Sequence, residues 1–429
     1  MQTFEFNNSN LQTLRVSHLA PLKYQMLNPL PKGTPNFNQA RAALLKAAAG
    51  ERLNQDDGIA LYHYPNLFEL AAVADMKNQQ WNSKDVFFNV NRHINPTNIC
   101  ALSCKFCAFS RKPGEKGAYA FSQEEISQRA KDAWASGATE VHMVGGLHPR
   151  WKLEDYKDIL RAVKKAAPEI HIKAFTAVEL DWLARKARLS IKELLTELKS
   201  AGLDSLPGGG AEIFTPYIRE YICDTKLTGA GWIDIHRTAH EMGMRSNCTM
   251  LYGHVEDIES RVDHMIKLRE LQDETRGFNV FIPLAYQPEN NHLEINRHTF
   301  GVDDLRTIAV ARLMLDNFKN IKAYWVMMGP QMAQTALHFG ANDLDGTVVE
   351  EKIANMAGSR SGMVFTKRDL LTLIRNADRV PVERSTTYVP IRRYENQDQD
   401  HIEWTAQEKV AKIQENSTNG SAGRIDGNG

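Results

Sequence analysis

Apolar residues along the chain keep two alternating rhythms. From residue 86 onward, short runs rich in branched and aromatic residues are each followed by a longer stretch whose apolar positions recur at helical spacing. Eight runs carry the strand pattern: VFFNVNRHI (86–94), TEVHMVGG (139–146), IHIKAFT (170–176), LDSLPGG (203–209), RSNCTMLYG (245–253), FNVFIPLAY (278–286), IKAYWVM (321–327) and LDGTVVE (344–350). The intervening stretches, such as SQEEISQRAKDAWASG and LEDYKDILRAVKKAA, predict helices. Ser122 with Glu125 three residues later, and Gly137 past the end, spell a capped start and a glycine stop. Strand and helix alternating eight times predict an α/β fold, a (β/α)8 barrel of the TIM type. The rival, a doubly wound sheet, lacks a GxGxxG turn after the first strand.

Ahead of the barrel, NQARAALLKAAAGERL to LYHYPNLFELAAVADMKNQQ has helical spacing punctuated by Gly50 and Gly58. Residues 1–85 therefore read as an N-terminal extension and helical lead-in, 86–385 as the barrel, and 386–429 as a polar C-terminal tail. The final NSTNGSAGRIDGNG is small and polar enough to be disordered.

Composition narrows the class. The chain has 429 residues, long for an average domain but ordinary for one barrel with extensions. With 42% hydrophobic and 24% charged residues it fits a globular enzyme. Formal net charge is zero and no basic stripe is present, so a nucleic-acid partner is not expected. The start, MQTFEFNNSNLQ, has no charged n-region and apolar h-region, and no apolar run approaches the about 18 residues of a membrane span. A cytoplasmic location is expected. Three of the five cysteines crowd into CALSCKFC, a spacing that suggests metal rather than a disulfide framework.

Thiolates are soft ligands for zinc or iron–sulfur clusters. A closed zinc site wants four ligands in two pairs, and the second pair is missing here. Three thiolates on a four-iron cubane instead leave one iron open. Cys100, Cys104 and Cys107, with the aromatic Phe106 before the last, form a CxxxCxΦC motif that resembles the signature of the radical S-adenosylmethionine (SAM) superfamily. The motif follows the first strand, in a βα loop where barrel active sites lie.

The resemblance implies a 4Fe–4S cluster held by Cys100, Cys104 and Cys107, SAM as co-substrate bound at the open iron, and a low-potential electron donor such as flavodoxin or ferredoxin. It further implies that Gly145 and Gly146, in VGGLHP, bring main chain close to the methionine ammonium, although a diglycine can also be a turn and no more. Glu212 and Arg219 would serve the ribose and methionine ends, and Gly253 and Phe106 would neighbour the adenine. Glu179, Glu212, Glu256 and Glu289 each follow a strand, either as a polar rim around the cofactor or as carboxylates complementing helix N-termini.

Inside the barrel, the two-residue period places Asn89, Asn91, His93 and Asn95 on one face of strand one, with Arg245, Asn247 and Thr249 on strand five, His142 on strand two and Lys173 on strand three. Such an interior either binds something polar or satisfies itself with water. His93, Lys173 and Arg245 are the expected contacts for a small-molecule carboxylate substrate. His236 and His240 stand four apart without the glutamate of HExxH and read as a structural face, and Cys223 and Cys248 as small buried hydrophobes. His338, Asp343 and Asp345 are substrate contacts or loop caps.

A closer resemblance runs from about residue 40 to 385. NVNRHINPTNIC, CKFCAFSR, HIKAFTAVE, GLDSLPGGGAEIF, FIPLAYQPEN and IKAYWVMMG together resemble the aminofutalosine synthase family of the futalosine route to menaquinone. Dehypoxanthine futalosine cyclases and deazaflavin synthase subunits are its nearest cousins and the alternative. The family implies a transferase in which a 5′-deoxyadenosyl radical adds to 3-[(1-carboxyvinyl)oxy]benzoate, followed by rearrangement and loss of carbon dioxide.

Overall fold

The computed structural model describes residues 36–359 and 365–422. The expected extension before residue 35 and the end of the tail, 423–429, lie outside the described residues. Three helices lead in, Phe37–Ala49, Gln55–Tyr62 and Leu67–Asn82. Asn36 and Asn54 cap the first two by accepting from Gln39 N–H and Asp57 N–H. Gly50 ends the first helix at φ 85°, as its position predicts. Gly58 does not punctuate: it lies inside the second helix, where a Cβ would stand 2.8 Å from Val262 Cγ1.

The strands are β1 (Asp85–Asn89), β2 (Asn91–Ile94), β3 (Glu140–Met143), β4 (His171–Ala174), β5 (Ser246–Tyr252), β6 (Phe278–Ala285), β7 (Asp343–Gly346), β8 (Val380–Arg384) and β9 (Pro390–Arg393). β2, β3 and β4 pair in parallel, Lys173 bridges Ser205, Leu206 bridges Ser246, and β5 pairs with β6. Phe281 bridges Ile321, Lys322 bridges Asp343, and β7 returns to β1. All these pairings are parallel, so the eight expected positions close into a barrel and every C-terminal strand end faces one way.

Four differences separate the structure from the expected runs. The first run divides at Val90 because β8 occupies one edge of β1 before β3 takes the same edge of β2. The fourth run narrows to a bridge ahead of Pro207, which has no N–H to donate. The seventh also narrows to a bridge, and its WVM turns into the short helix Trp325–Met328. Finally, the stretch expected as a polar tail is structured as far as it is described. β9 pairs antiparallel with β8, and the helix Ala406–Ala422 follows. Lys409 of that helix is buried, its ammonium 2.6 Å from Glu383 Oε1 and 2.8 Å from the Gly137 carbonyl. The few buried anchors here, Ile391, Tyr394, Ala406 and Lys409, are too sparse to make a hydrophobic rhythm.

The core lies between the outward strand faces and the surrounding helices, with Val86, Phe88, Val141, Ile172 and Met250 buried. Polar residues face inward where the alternation predicts them, with His93, His142, Asn247 and Thr249 lining the barrel mouth, while β6 contributes the apolar Ile282 and Leu284. No helix among the described residues is long and apolar enough to cross a membrane.

Candidate active site

At the C-terminal strand ends opens a cavity of about 320 Å³, the size of a small-ligand site. Cys100, Cys104 and Cys107 line one wall of it. Their loop is held by its backbone: Cys100 N–H donates to the Arg111 carbonyl and Ala101 N–H to Leu147, both at 2.9 Å, and Lys105 N–H reaches Ile222 at 2.9 Å. Gly146 N–H donates to Thr97 at 2.8 Å, and a Cβ on Gly146 would stand 2.4 Å from the Ile99 carbonyl oxygen. The diglycine is thus needed for close main-chain approach, and the thiol loop is one partner in it; Gly145 and Gly146 also line the cavity.

Burial pushes the Cys104 thiol up to about 12, opposed by the nearby Lys226 ammonium, and raises Cys100 as well. Among the described residues no three His, Cys, Asp or Glu side chains converge on a single-ion site. The three thiols line the same cavity, a soft donor set that fits an iron–sulfur cluster.

Glu179 faces the cavity. Its carboxylate accepts from Thr176 N–H at 2.7 Å, Thr176 Oγ1 at 2.8 Å and Gly145 N–H at 3.1 Å, joining the start of the helix Ala177–Ala187 to the diglycine. Burial lifts it to about 7 against these donors. Glu212, at φ 48°, also faces the cavity and accepts from the Lys226 ammonium, which lies 4.8 Å from the centre of the Phe106 ring. Burial by itself would lower Lys226, but Cys104 and Glu212 hold it raised. Phe106 and Lys226 both line the cavity.

Two of the SAM contacts expected from the sequence stand elsewhere. Arg219 is buried, but its guanidinium donates to the carbonyls of Ala211, Ile213, Gly210 and Leu227, so it clamps the loop before Thr215 instead of lining the cavity. The cation in its place is Lys226, which the sequence reading missed because an irregular loop gives no facing. Gly253 is also off the cavity: at φ 87° it forms a turn whose N–H donates to Glu256, and a Cβ there would stand 2.1 Å from Thr299 Cγ2. Glu256 pairs with Arg261 and Glu289 lies outside, so of the four carboxylates only Glu179 and Glu212 reach the cavity.

On the lumenal side, the His93 and His142 rings lie tilted against each other, their centres 4.6 Å apart. Burial takes His93 down to about 4 and His142 well below its usual value, so both are neutral. His93 Nε2 and Asn247 Oδ1 are buried without a protein partner and belong to cavity-lining residues. Asp345 lines it too; burial would raise it, but Lys322 at 3.0 Å and other cations hold it at about 2.

Lys173 and Arg245 do not join them. Lys173 is in register with His142, yet its ammonium turns to Glu140 Oε1 at 2.6 Å, and Lys173 is absent from the cavity lining. Arg245 precedes β5, is exposed at the N-terminal end of the barrel and donates to the Arg276 carbonyl. Arg245 thus stands at the wrong height along the barrel to meet the cavity.

His236 and His240 share Ser246 Oγ at 2.8 and 2.7 Å, a structural arrangement as expected, and Cys223 and Cys248 are buried. Asp343 pairs with Arg384 at 2.6 Å and His338 lies beside Arg379, both off the cavity. Tyr286, Gln287, Tyr324 and Glu351 also line the cavity, without a sequence signal that singled them out.

The model of the Radical SAM superfamily matches residues 94–268, and that of the CofH/MqnC C-terminal region matches 275–397. An aminodeoxyfutalosine synthase of Thermus thermophilus is 45% identical over 351 residues, covering 81% of this chain and 94% of its own length. One of Streptomyces coelicolor is 46% identical over 364 residues, covering 82% and 94%. A cyclic dehypoxanthine futalosine synthase of Halalkalibacterium halodurans is 36% identical, covering 83% and 96%. Among solved structures, methylornithine synthase superposes with a TM-score of 0.62 at 20% identity, covering 78% of this chain and 95% of its own, a likeness of fold.

Proposed function

The chain belongs to the radical SAM superfamily and, within it, to the aminodeoxyfutalosine synthase family, and from that premise we propose how its residues carry the reaction. The observation behind the assignment is that the three thiols, the diglycine, Glu179 and the Glu212–Lys226 pair open on one cavity at the C-terminal strand ends.

Cys100, Cys104 and Cys107 hold a 4Fe–4S cluster. When bound, it supplies the one electron that parts the SAM sulfonium into methionine and a 5′-deoxyadenosyl radical. That radical would add to the enol-ether double bond of 3-[(1-carboxyvinyl)oxy]benzoate, the aryl group would migrate from oxygen to carbon, and carbon dioxide would leave with the one electron returned to the oxidised cluster, giving aminodeoxyfutalosine with no net redox change.

Lys226 donates to the methionine carboxylate while Glu212 accepts from the ribose or ammonium end, the role first expected of Arg219. Gly145 and Gly146 keep the wall free of side chains where the methionine lies, Glu179 fixes their backbone, and Phe106 flanks the adenine. His93 and His142 present neutral imidazoles to the polar groups of the substrate, with Asn247 beside them. Neutral donors orient a substrate without offering it a proton, which suits a radical addition that needs none. The enzyme works in the cytoplasm with a low-potential carrier such as flavodoxin or ferredoxin.

The test is anaerobic. The protein is reconstituted with iron and sulfide, reduced with dithionite, and given SAM and 3-[(1-carboxyvinyl)oxy]benzoate, with products followed by mass spectrometry. A product carrying the adenosyl group and lacking carbon dioxide is expected. Free 5′-deoxyadenosine with no adduct would overturn the substrate and point to the cyclase.

A further inference from the structure

We propose that Lys112 is a positioning residue for the thiol loop: its ammonium fixes the curvature of Cys100–Leu102 and places a positive charge behind the cysteines that no protein carboxylate cancels. The proposal deepens the cluster assignment above and rests on it.

The Lys112 ammonium stands 3.2 Å from the Cys100 carbonyl oxygen, 3.4 Å from that of Ala101 and 2.8 Å from that of Leu102. Three successive carbonyls aimed at one point is an unfavourable arrangement of like dipole ends, and an ammonium with three donors is the group that matches it. The amide hydrogens of Cys100 and Ala101 meanwhile donate outward, to Arg111 and Leu147. The loop has no regular secondary structure to hold this shape, so the cation supplies the closure that a helix or strand would supply by its own ladder.

Lys112 is itself well placed to do so. Arg111 pairs with Ile99 just before the first cysteine, and the backbone N–H of Lys112 donates to Glu115 Oε2 at 2.7 Å. That carboxylate serves the backbone, and among the described residues the Lys112 ammonium forms no ion pair within 4.0 Å. Arg111 supports the other arm of the loop, donating to the carbonyls of Ala108 at 2.9 Å and Ser110 at 2.8 Å.

Two consequences follow for a group carried by three thiolates. Its ligands are presented in a preset arc, which slows their release of iron. A nearby fixed cation also favours the form that carries one more electron, so it raises the reduction potential.

The experiment compares Lys112→Gln, Lys112→Arg and the exposed control Lys116→Gln. In the cluster-free chain, amide hydrogen exchange over residues 99–103 is expected to quicken in Lys112→Gln and not in Lys116→Gln. In the reconstituted chain, Lys112→Gln is expected to lose iron to a chelator about 10–100-fold faster, the usual scale for an outer-sphere support, and to show a lower midpoint potential. Lys112→Arg is expected to restore the potential, because it restores the charge. Exchange and iron loss equal to those of Lys116→Gln would overturn the proposal. Faster exchange with an unmoved potential would overturn its electrostatic half. A wild-type chain that takes up no iron would overturn the cluster assignment instead, and the exchange comparison on the cluster-free chain would still decide what Lys112 does to the loop.

Discussion

Around β3 and β4, Lys173 and Glu140 meet at 2.6 Å with side chains 5% and 0% exposed, and beside them Arg384 holds Asp343 at 2.6 Å. At the cavity, His93 and Asn247 are equally buried, yet His93 Nε2 and Asn247 Oδ1 have no protein partner. Both regions use the same inward strand faces, so polarity does not distinguish structure from function. Access and saturation do: a paired charge walled off from the cavity has nothing to offer a ligand, whereas the Glu212–Lys226 pair opens on the cavity and a buried polar atom there with no partner is costly until one arrives.

The contrast can be broken at either end. Cys100→Ala, Cys104→Ala or Cys107→Ala should reduce adenosyl-product formation to background, measured by mass spectrometry, with the fold retained in circular dichroism. Lys173→Met should leave Glu140 buried and unpaired, at a cost of about 3–5 kcal/mol in denaturant unfolding, and adding Glu140→Gln should recover most of it. Lys226→Met should raise the Kd for SAM about thirtyfold, the equivalent of ~2 kcal/mol, in calorimetric titration of the reconstituted enzyme.

Acid sharpens the same comparison. An unfolded imidazole takes its proton near 6.5 and buried His93 only near 4, so between these values the unfolded chain binds more protons. Stability should therefore be full above pH 6.5 and fall as pH drops toward 4, by about 3 kcal/mol from His93, with His93→Asn flattening the slope. The smallest effect belongs to Arg245→Ala, which should leave kcat/KM within about twofold of wild type, because its guanidinium lies at the far rim.

Much of this molecule was legible because its signals are local. Strand and helix periods, capping pairs such as Ser122 with Glu125, and the spacing of Cys100, Cys104 and Cys107 all act over a few residues, where covalent geometry limits what the chain can do. The β8–β9 hairpin and the helix Ala406–Ala422 were not legible, since a few buried anchors hold them.

The sequence by itself determined the alternating barrel, polar inward positions such as His93, His142, Asn247 and Thr249, and the thiol loop at its mouth. Only the tertiary structure decided which inward residue reaches the cavity and which finds a partner first. Lys173 turns to a glutamate 33 positions away, Arg219 to the carbonyls of the loops that flank its helix, and Lys226 to Glu212 beside the thiols. Periodicity fixes direction around a strand, but height along the barrel and the choice of counter-charge depend on the register of neighbouring strands and the paths of irregular loops, which no local pattern encodes.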